Sequence, residues 1–400
     1  MTKVLSKTLS VCAITTWPPY RDGIALYSAK LYERIADLAY VEVIANKVGA
    51  YIPSIYSENS IVVRRSWTRG GIFSLLQIFC QAVKSKAHLL HIHYGWLLYG
   101  FPSTLLIPFL LLTIRLTRKP IVLTMHTVIQ RNAKIYDNNL LNKTTNFVIF
   151  TLTKLLTKFS YMVIVHNYLM KKSLEENYGC KGKRIVVIPH GVVRASLEKW
   201  NRNNTSDKLK ILSLGFLRKE KKLEYLLRAF FEFSLENPNV QLFLIGGPHP
   251  HDNDEYAQNI KKLINDLKLE DKVYLINFVS EGELNKLIHD SDFIVLVSTK
   301  DYFIETSGAL ARVADFGKPV VCSRVPKFQG ELKDGYNCLM VTPENVDELV
   351  KAMKILAKNN KLKRQLASNL RKHFKSRYWT EVAKMHVSCY GSLLRVRREM

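Results

Sequence analysis

Acidic residues are scarce in this chain of 400 residues, which carries 34 Asp and Glu against 59 Lys and Arg and a formal net charge of +25. The shortage is uneven: through Trp200 there are 9 acids against 26 bases, a net of +17 that leaves +8 for the remainder. An excess of this size attracts polyanions, and nucleic acid and an anionic membrane surface are the two classes that answer to it. Helix-turn-helix, zinc-finger and RNA-binding signatures are all absent, and the bases are spread among long apolar stretches. The expected partner is therefore the membrane surface, not nucleic acid.

Cysteine pairing is equally scarce. The six cysteines (Cys12, Cys80, Cys180, Cys322, Cys338 and Cys389) include no C-x-x-C pair. They read as reduced thiols of a cytoplasmic protein, because a disulfide framework belongs to small secreted chains. There is no internal repeat and no low-complexity tract, and 47% apolar with 23% charged residues is the balance of a globular chain. Lys3 and Lys7 precede the run Leu9 to Thr15, which is too short for a signal peptide's apolar centre and ends in Trp-Pro-Pro; it reads as the first strand. Trp96 to Ile114 is uncharged and just long enough to cross a bilayer, but Gly100, Pro102 and Pro108 interrupt it. A buried or membrane-apposed helix, in a protein peripherally attached to the membrane, is the expectation.

What is present is an alternation of apolar strands and amphipathic helices, in a chain too long for one core. SVCAIT, YVEVIA, IVVRR, LLHIHYG and PIVLTMH read as strands of a first α/β domain, residues 1–200, with FSLLQIFCQAVKSK and the long apolar stretch as helices. Asn201 to Asp207 is polar and reads as a linker. LKILSLGFL restarts the pattern in a second domain, residues 207–375, and residues 376–400 form a terminal helix. The stretch around which the second domain is organised runs from Phe293 to Val321: a buried strand, a short loop, a helix beginning near Thr306-Ser307-Gly308, and a Gly317-Lys-Pro319 stop.

In doubly wound sheets ligands sit at the carboxyl ends of the strands. At that edge the sequence offers Gly23, in the turn before the first helix, where the backbone could approach a ligand closely. It also offers His126 at the end of PIVLTMH, and the cations Arg218 to Lys222 after LKILSLGFL, where guanidinium and ammonium groups suit a diphosphate. Free N–H groups at the Ser307-Gly308 helix start suit a phosphate as well. For each of these a structural role is the rival reading: a turn glycine, a satisfied core histidine, a solvated charged turn. Three metal-like patterns carry less. His91 and His93 share a strand face without a third ligand, Asp290-Ser291-Asp292 precedes its strand and so lies on the wrong edge, and His249 to Asp254 is a polar loop. No metal is expected.

Several of these stretches resemble the retaining GT-B glycosyltransferases called glycosyl transferases group 1, or family 4. The resembling segments are the Gly23 turn, PIVLTMHTV, the IPHGV at Ile188 to Val192, the Arg218 and Lys221 pair, and the Glu305-Thr-Ser-Gly308 turn. The resemblance implies two Rossmann-like domains facing across a cleft, with a terminal helix crossing back to the first. It implies transfer of a hexose from a nucleotide-diphosphate sugar to an acceptor hydroxyl with retained configuration, without a cofactor, to a saccharide or lipid-linked acceptor. His126 and Glu305 would be the catalytic residues that orient the sugar; Gly23, Arg218, Lys221, Thr306, Ser307 and Gly308 would bind the donor, with Val279 near the base. The family's pair of Glu separated by seven residues falls, counting back from Gly317, on Ile304 and Arg312. Sliding the loop by one brings Glu305 to the first position and leaves the second, which holds the ribose in the family, without an acid. A non-catalytic sugar-nucleotide-binding or partner subunit is the alternative.

Overall fold

Uninterrupted runs of Val, Ile and Leu are stable as strands only when both faces are covered, and that is how these runs fold. The computed structural model describes residues 9–49, 51–71, 73–195, 208–248, 254–299 and 301–398. In chain order the first stretch gives β1 (Ser10–Thr15), α1 (Gly23–Ile35), β2 (Tyr40–Asn46), β3 (Ile55–Glu58), β4 (Ile61–Trp67), α2 (Ser74–Lys84), β5 (Leu89–Tyr94) and α3 (Ser103–Leu116). It continues with β6 (Ile121–Met125), β7 (Thr127–Ile129), α4 (Asn139–Phe159), β8 (Met162–Val165), α5 (Tyr168–Glu176) and β9 (Ile185–Val187). The second stretch gives β10 (Leu209–Leu214), α6 (Leu223–Glu236), β11 (Val240–Ile245), α7 (Glu255–Asp266), β12 (Val273–Ile276), α8 (Glu281–Asp290), β13 (Phe293–Leu296) and β14 (Phe303–Glu305). After these come α9 (Gly308–Val313), β15 (Val320–Ser323), α10 (Pro326–Gln329), β16 (Leu339–Val341), α11 (Val346–Lys358), α12 (Asn360–Phe374) and α13 (Trp379–Arg398).

The chain divides into two compact units. Unit 1 takes in the chain up to Gly191, the segment Tyr302–Thr306 and everything from Trp379 onward; unit 2 is Val192–Asp301 with Ser307–Tyr378. Unit 1 holds an eight-stranded sheet in the order β3-β4-β2-β1-β5-β6-β8-β9, parallel but for the edge strand β3, which runs antiparallel to β4. Unit 2 holds a six-stranded parallel sheet, β12-β11-β10-β13-β15-β16. In each unit apolar side chains cover both faces. Cys12, Ile14 and Ile92 of unit 1 point into one layer, while Val11, Ala13 and Leu89 point into the other. This is the doubly wound architecture expected from the alternating pattern.

Helix starts follow the local rules. Asp22, Asn138, Asn167, Ser280 and Asn345 each accept the N–H three residues on, and Ser280 with Glu283 forms a capping box. α13 packs its Trp379, Val382, Ala383 and Tyr390 into the unit 1 layer that also holds Tyr27, Leu31 and Tyr32 of α1. The terminal helix therefore belongs to the first domain's core.

The structure departs from the expectations at several points. The residues between β13 and α9 are not all loop: Phe303–Glu305 is a strand, paired antiparallel with β7 in the register Phe303↔Ile129, Ile304↔Val128 and Glu305↔Thr127. Ile304 and Phe303 are buried in the unit 1 core, which draws this segment out of the second sequence domain. The first unit ends at Gly191, short of residue 200, because Val192 already pairs with Tyr378 of unit 2. β3 was not expected; its residues are mostly exposed and lack an apolar alternation. The Trp96 to Ile114 stretch is a turn through Phe101 followed by α3, in which Pro108 is accommodated. Asn201 to Asp207 and most of the His249 to Asp254 loop lie outside the described residues.

Candidate functional site

In unit 1 the parallel strands bring Gly23, His126, His166 and His190 to one sheet edge, each residue following the carboxyl end of its strand. Gly23 is the first residue of α1. The Asp22 before it is buried and accepts both the Ala25 N–H, at 2.5 Å, and the Thr16 hydroxyl, at 3.1 Å. Burial raises its carboxyl pKa, and the Ala25 N–H opposes that shift. Asp22, in place of a second glycine, thus serves as the helix cap.

His126 is buried in a continuous chain of imidazoles and phenols. Its Nε2 lies 2.9 Å from His93 Nδ1 and its Nδ1 lies 3.1 Å from His166 Nε2; His166 Nδ1 in turn lies 3.1 Å from the Ile188 carbonyl. On the other side His93 Nε2 meets Tyr32 Oη at 2.8 Å. Tyr32 Oη is also 2.8 Å from His91 Nδ1, and Tyr390 Oη, on the terminal helix, is 2.6 Å from that same nitrogen. A carbonyl can only accept, so His166 must carry its proton on Nδ1 and accept on Nε2. It follows that His126 donates from Nδ1 to His166 and accepts at Nε2 from the Nδ1–H of His93, which accepts in its turn from the Tyr32 hydroxyl. Burial, with repulsion between neighbouring rings as the next cause, keeps these histidines neutral: His91, His93 and His126 are held well below the ordinary histidine value, and His166 at about 3. The Tyr27 ring sits within this cluster, 4.7 Å from His126 and 5.0 Å from His190, and among the described residues its hydroxyl has no hydrogen-bond partner.

The antiparallel pair β7–β14 places Glu305 one residue along from His126 in the register. Thr127, next to His126, pairs with Glu305, and its hydroxyl donates to Glu305 Oε2 at 3.4 Å. Thr306 follows, with its Oγ1 buried and lacking a partner among the described residues. The chain then enters unit 2, where Ser307 caps α9 through Leu310 N–H at 3.2 Å and Gly308 is exposed.

The other expected donor-binding residues lie at the carboxyl edge of the unit 2 sheet. After β10 the chain turns through Gly215, whose φ of 114° is a conformation that L side chains rarely adopt, and a Cβ there would come within 2.5 Å of Lys221 Nζ. Lys221 is half-buried overall, but its ammonium turns inward and donates to the Leu214 carbonyl at 3.0 Å. Burial first, then the charges of Lys327 and Arg218, bring its pKa down to about 7. Arg218 pairs with Glu220 at 3.2 Å, while Thr299 donates to the Glu220 carbonyl from both its N–H, at 2.9 Å, and its hydroxyl, at 3.0 Å. Val279 is half-buried against the unit 2 core layer that contains Ile245, Ile288 and Leu310, in the loop whose Phe278 ring meets Phe216 edge-on at 5.7 Å.

Three cations thus bear on one edge, and Lys327, at the start of α10, is one that the sequence reading missed. Pro326 at a helix start directly after β15 was the signal available for it. Arg312, the residue at the family's second acidic position, is nine-tenths buried on α9 and reaches α8, pairing with Glu281 at 2.7 Å and Asn285 at 2.7 Å. Its guanidinium serves to tie two helices. Among the described residues no group of three or more His, Cys, Asp and Glu is placed to hold a metal ion.

Comparison with known proteins gives this geometry a family setting. Residues 22–195 match the family model described as Glycosyltransferase Family 4, and residues 196–373 match Glycosyl transferases group 1. A curated relative, an uncharacterized glycosyltransferase of Methanocaldococcus jannaschii, is 28% identical over 186 residues, 46% of this chain and 45% of its own. The chain thus matches less than half of that relative's length. Among solved structures, the sucrose-phosphate synthase from Thermosynechococcus elongatus superposes with a TM-score of 0.77 at 18% identity, over 97% of this chain and 100% of that one. Anabaena HepE in complex with UDP-glucose does so with a TM-score of 0.73 at 16% identity, over 96% and 100%. At such identities the superpositions establish the GT-B fold.

Proposed function

The chain is a GT-B glycosyltransferase of the group 1 type, matched along residues 22–373 by two adjoining family models, and from that premise we propose that it moves a hexose from a nucleotide-diphosphate sugar to an acceptor hydroxyl with retention. The observation that carries the reading is the convergence of Arg218, Lys221 and Lys327 on the carboxyl edge of the unit 2 sheet. In this transfer the leaving group is a diphosphate, and preorganised cations stabilise the charge that develops on it. The sugar carbon gains oxocarbenium-like charge, which the carboxylate of Glu305 is suited to face. Glu305 and His126 orient the sugar; Gly23, Thr306, Ser307 and Gly308 contact the donor, and Val279 lies beside the base. The donor is a UDP-sugar or a related nucleotide, as in the HepE complex. The acceptor is a saccharide at the membrane, free or lipid-linked, and the protein works on the cytoplasmic side without a cofactor.

A panel of nucleotide sugars screened for thermal stabilisation tests the donor assignment, because a ligand bound to the native state raises its melting temperature. One class of donor should stabilise the protein and be turned over with an acceptor extract. A second reading is favoured by Arg312, whose structural pairing leaves no acid at that position on α9. It makes the chain a sugar-nucleotide-binding subunit, and donor binding without turnover would select it.

A further inference from the structure

Unit 1 presents an apolar surface to solvent along three neighbouring helices. On α2 the exposed stripe is Phe73, Leu76 and Val83; on α3 it is Leu106, Phe109 and Leu116; on α4 it is Leu140, Leu141 and Phe147. α3 packs against α2 on one side and α4 on the other, so the stripes adjoin. The opposite side of α3 is fully used: Ile107, Leu111 and Ile114 are buried in the unit 1 core. Scattered exposed leucines are ordinary, but adjoining stripes rich in large side chains mark a surface that something covers.

The charge around these stripes says what covers it. From Asn59 to Leu174 the chain carries 15 Lys and Arg and one acid, Asp137. Lys84, Lys86, Arg118, Lys143, Lys154 and Lys158 are exposed on or beside the three helices. A second copy of the chain would bring the same cations against these, which is repulsive in a self-complementary contact. Apolar stripes edged by exposed lysines are the composition of helices that lie in a lipid interface, with the bases at headgroup phosphates and the aromatics among the acyl chains. Among the described residues no helix is long and apolar enough to cross a membrane, so the fit is to lying on it.

We infer that the α2–α3–α4 face of unit 1 docks on an anionic lipid surface, with Phe101 and Phe109 as its principal apolar anchors. Both phenylalanines are more than half exposed. Phe101 and the exposed Leu97 lie in the connection from β5 to α3, which leaves the sheet at the carboxyl edge shared by Gly23 and His126. Docking therefore brings the bilayer toward the edge where, on the proposed function, His126 meets the sugar. This last point rests on the proposed function; the docking itself does not.

The test is co-sedimentation of the full chain with vesicles of phosphatidylcholine alone or mixed with phosphatidylglycerol. Binding is expected only to the mixed vesicles and should be released by salt. F109S and F101S should each weaken it roughly tenfold, and K154Q/K158Q should weaken it to a similar degree. Leu235 of α6 is as exposed but lies in unit 2, and L235S should bind like the parent chain. All four changes are at exposed positions, and matching melting temperatures would show that folding is intact. Equal binding to neutral vesicles, unaltered binding by F101S/F109S, or an equal loss in L235S would overturn the inference. So would a concentration-dependent dimer that F109S dissociates and that binds no lipid. The assay needs neither donor nor turnover. Vesicle binding without any transferase activity would therefore remove the proposed function alone, and activity on a water-soluble acceptor without vesicle binding would remove the docking alone.

Discussion

His93 Nδ1 stands 2.9 Å from His126 Nε2, and with the Ile188 carbonyl fixing the direction of the whole chain, His93 is the donor. Both ring nitrogens of His126 are thereby engaged. A sugar hydroxyl that hydrogen-bonds this ring has to take the place of His93 or His166, so the two neighbours govern how His126 meets a ligand. Replacing His93 by Asn, whose amide can still donate, should preserve more activity than replacing it by Phe; equal kcat/KM for the two variants would mean the bond is immaterial.

Acid should destabilise the protein through these rings. His166 in that chain has its folded pKa depressed to about 3, and His386 of α13, a buried ring 5.8 Å from His91, has its own depressed to about 4, against about 6.5 when unfolded. Below the unfolded value the unfolded state binds more protons, so the stability contributed by neutral burial is complete above about pH 6.5 and is lost as pH falls toward the folded value. The unfolding free energy obtained from urea titrations should drop by up to about 1.4 kcal/mol per pH unit for each histidine between pH 6.5 and 5. A flat stability profile over that window would contradict the neutral chain.

Donor affinity should fall as pH rises. Lys221 titrates near 7 in the free protein, and a diphosphate beside it favours the ammonium form, raising that pKa. Binding then takes up a proton, and the dissociation constant should grow by as much as about tenfold per unit above pH 7. Lys221→Ala should abolish this dependence and, like Arg218→Ala, weaken donor binding roughly ten- to hundredfold, as loss of a charge-assisted phosphate contact does. Calorimetry between pH 6.5 and 8.5 checks both; wild-type affinity in the two variants would remove these cations from the donor site.

Glu305→Gln separates two roles. The helix that follows is capped by Ser307, not by Glu305, so removing the Glu305 charge should leave the melting temperature nearly unchanged. The transfer rate should fall by about ten- to a thousandfold, with a smaller change in donor binding. Ser307→Ala removes that cap and should cost about 1 kcal/mol of stability. Unchanged turnover in Glu305→Gln would leave the residue as a strand-pairing partner of Thr127 and no more.

Arg312 offers a different test. Arg312→Ala deprives Glu281 and Asn285 of their partner and should cost about 1–3 kcal/mol, read in thermal unfolding. Arg312→Glu sets a carboxylate against Glu281 and should cost more, without gain in donor affinity. Tighter nucleotide binding in Arg312→Glu would show that the position still faces the ligand.

Much of this was legible in the sequence where a signal was local. The β-branched runs announced strands because burial on both faces leaves no room for polar residues, and Arg218 and Lys221 were found because they stand between a strand and a helix. The β7–β14 pair was not, since three residues paired with three others distant in the chain carry no periodicity. The imidazole chain was invisible for a related reason. His91, His93, His126 and His166 come from β5, the end of β6 and the end of β8, and only the parallel order of the sheet sets them side by side. Lys327 was missed because its charge matters through its distance from Lys221, which no spacing in the sequence encodes.

The passage of the chain into unit 1 at Tyr302, out again after Thr306 and back at Trp379 limits how this protein could be recombined. A gene fusion made at one junction near residue 191 would set a foreign β14 against this chain's β7 and a foreign terminal helix against its Tyr27, Leu31 and His91. Such a hybrid inherits two mismatched packing surfaces along with its new donor half. Exchange of specificity between relatives should therefore succeed when the segments Tyr302–Thr306 and Trp379–Arg398 travel with the first half, and fail to fold when they do not.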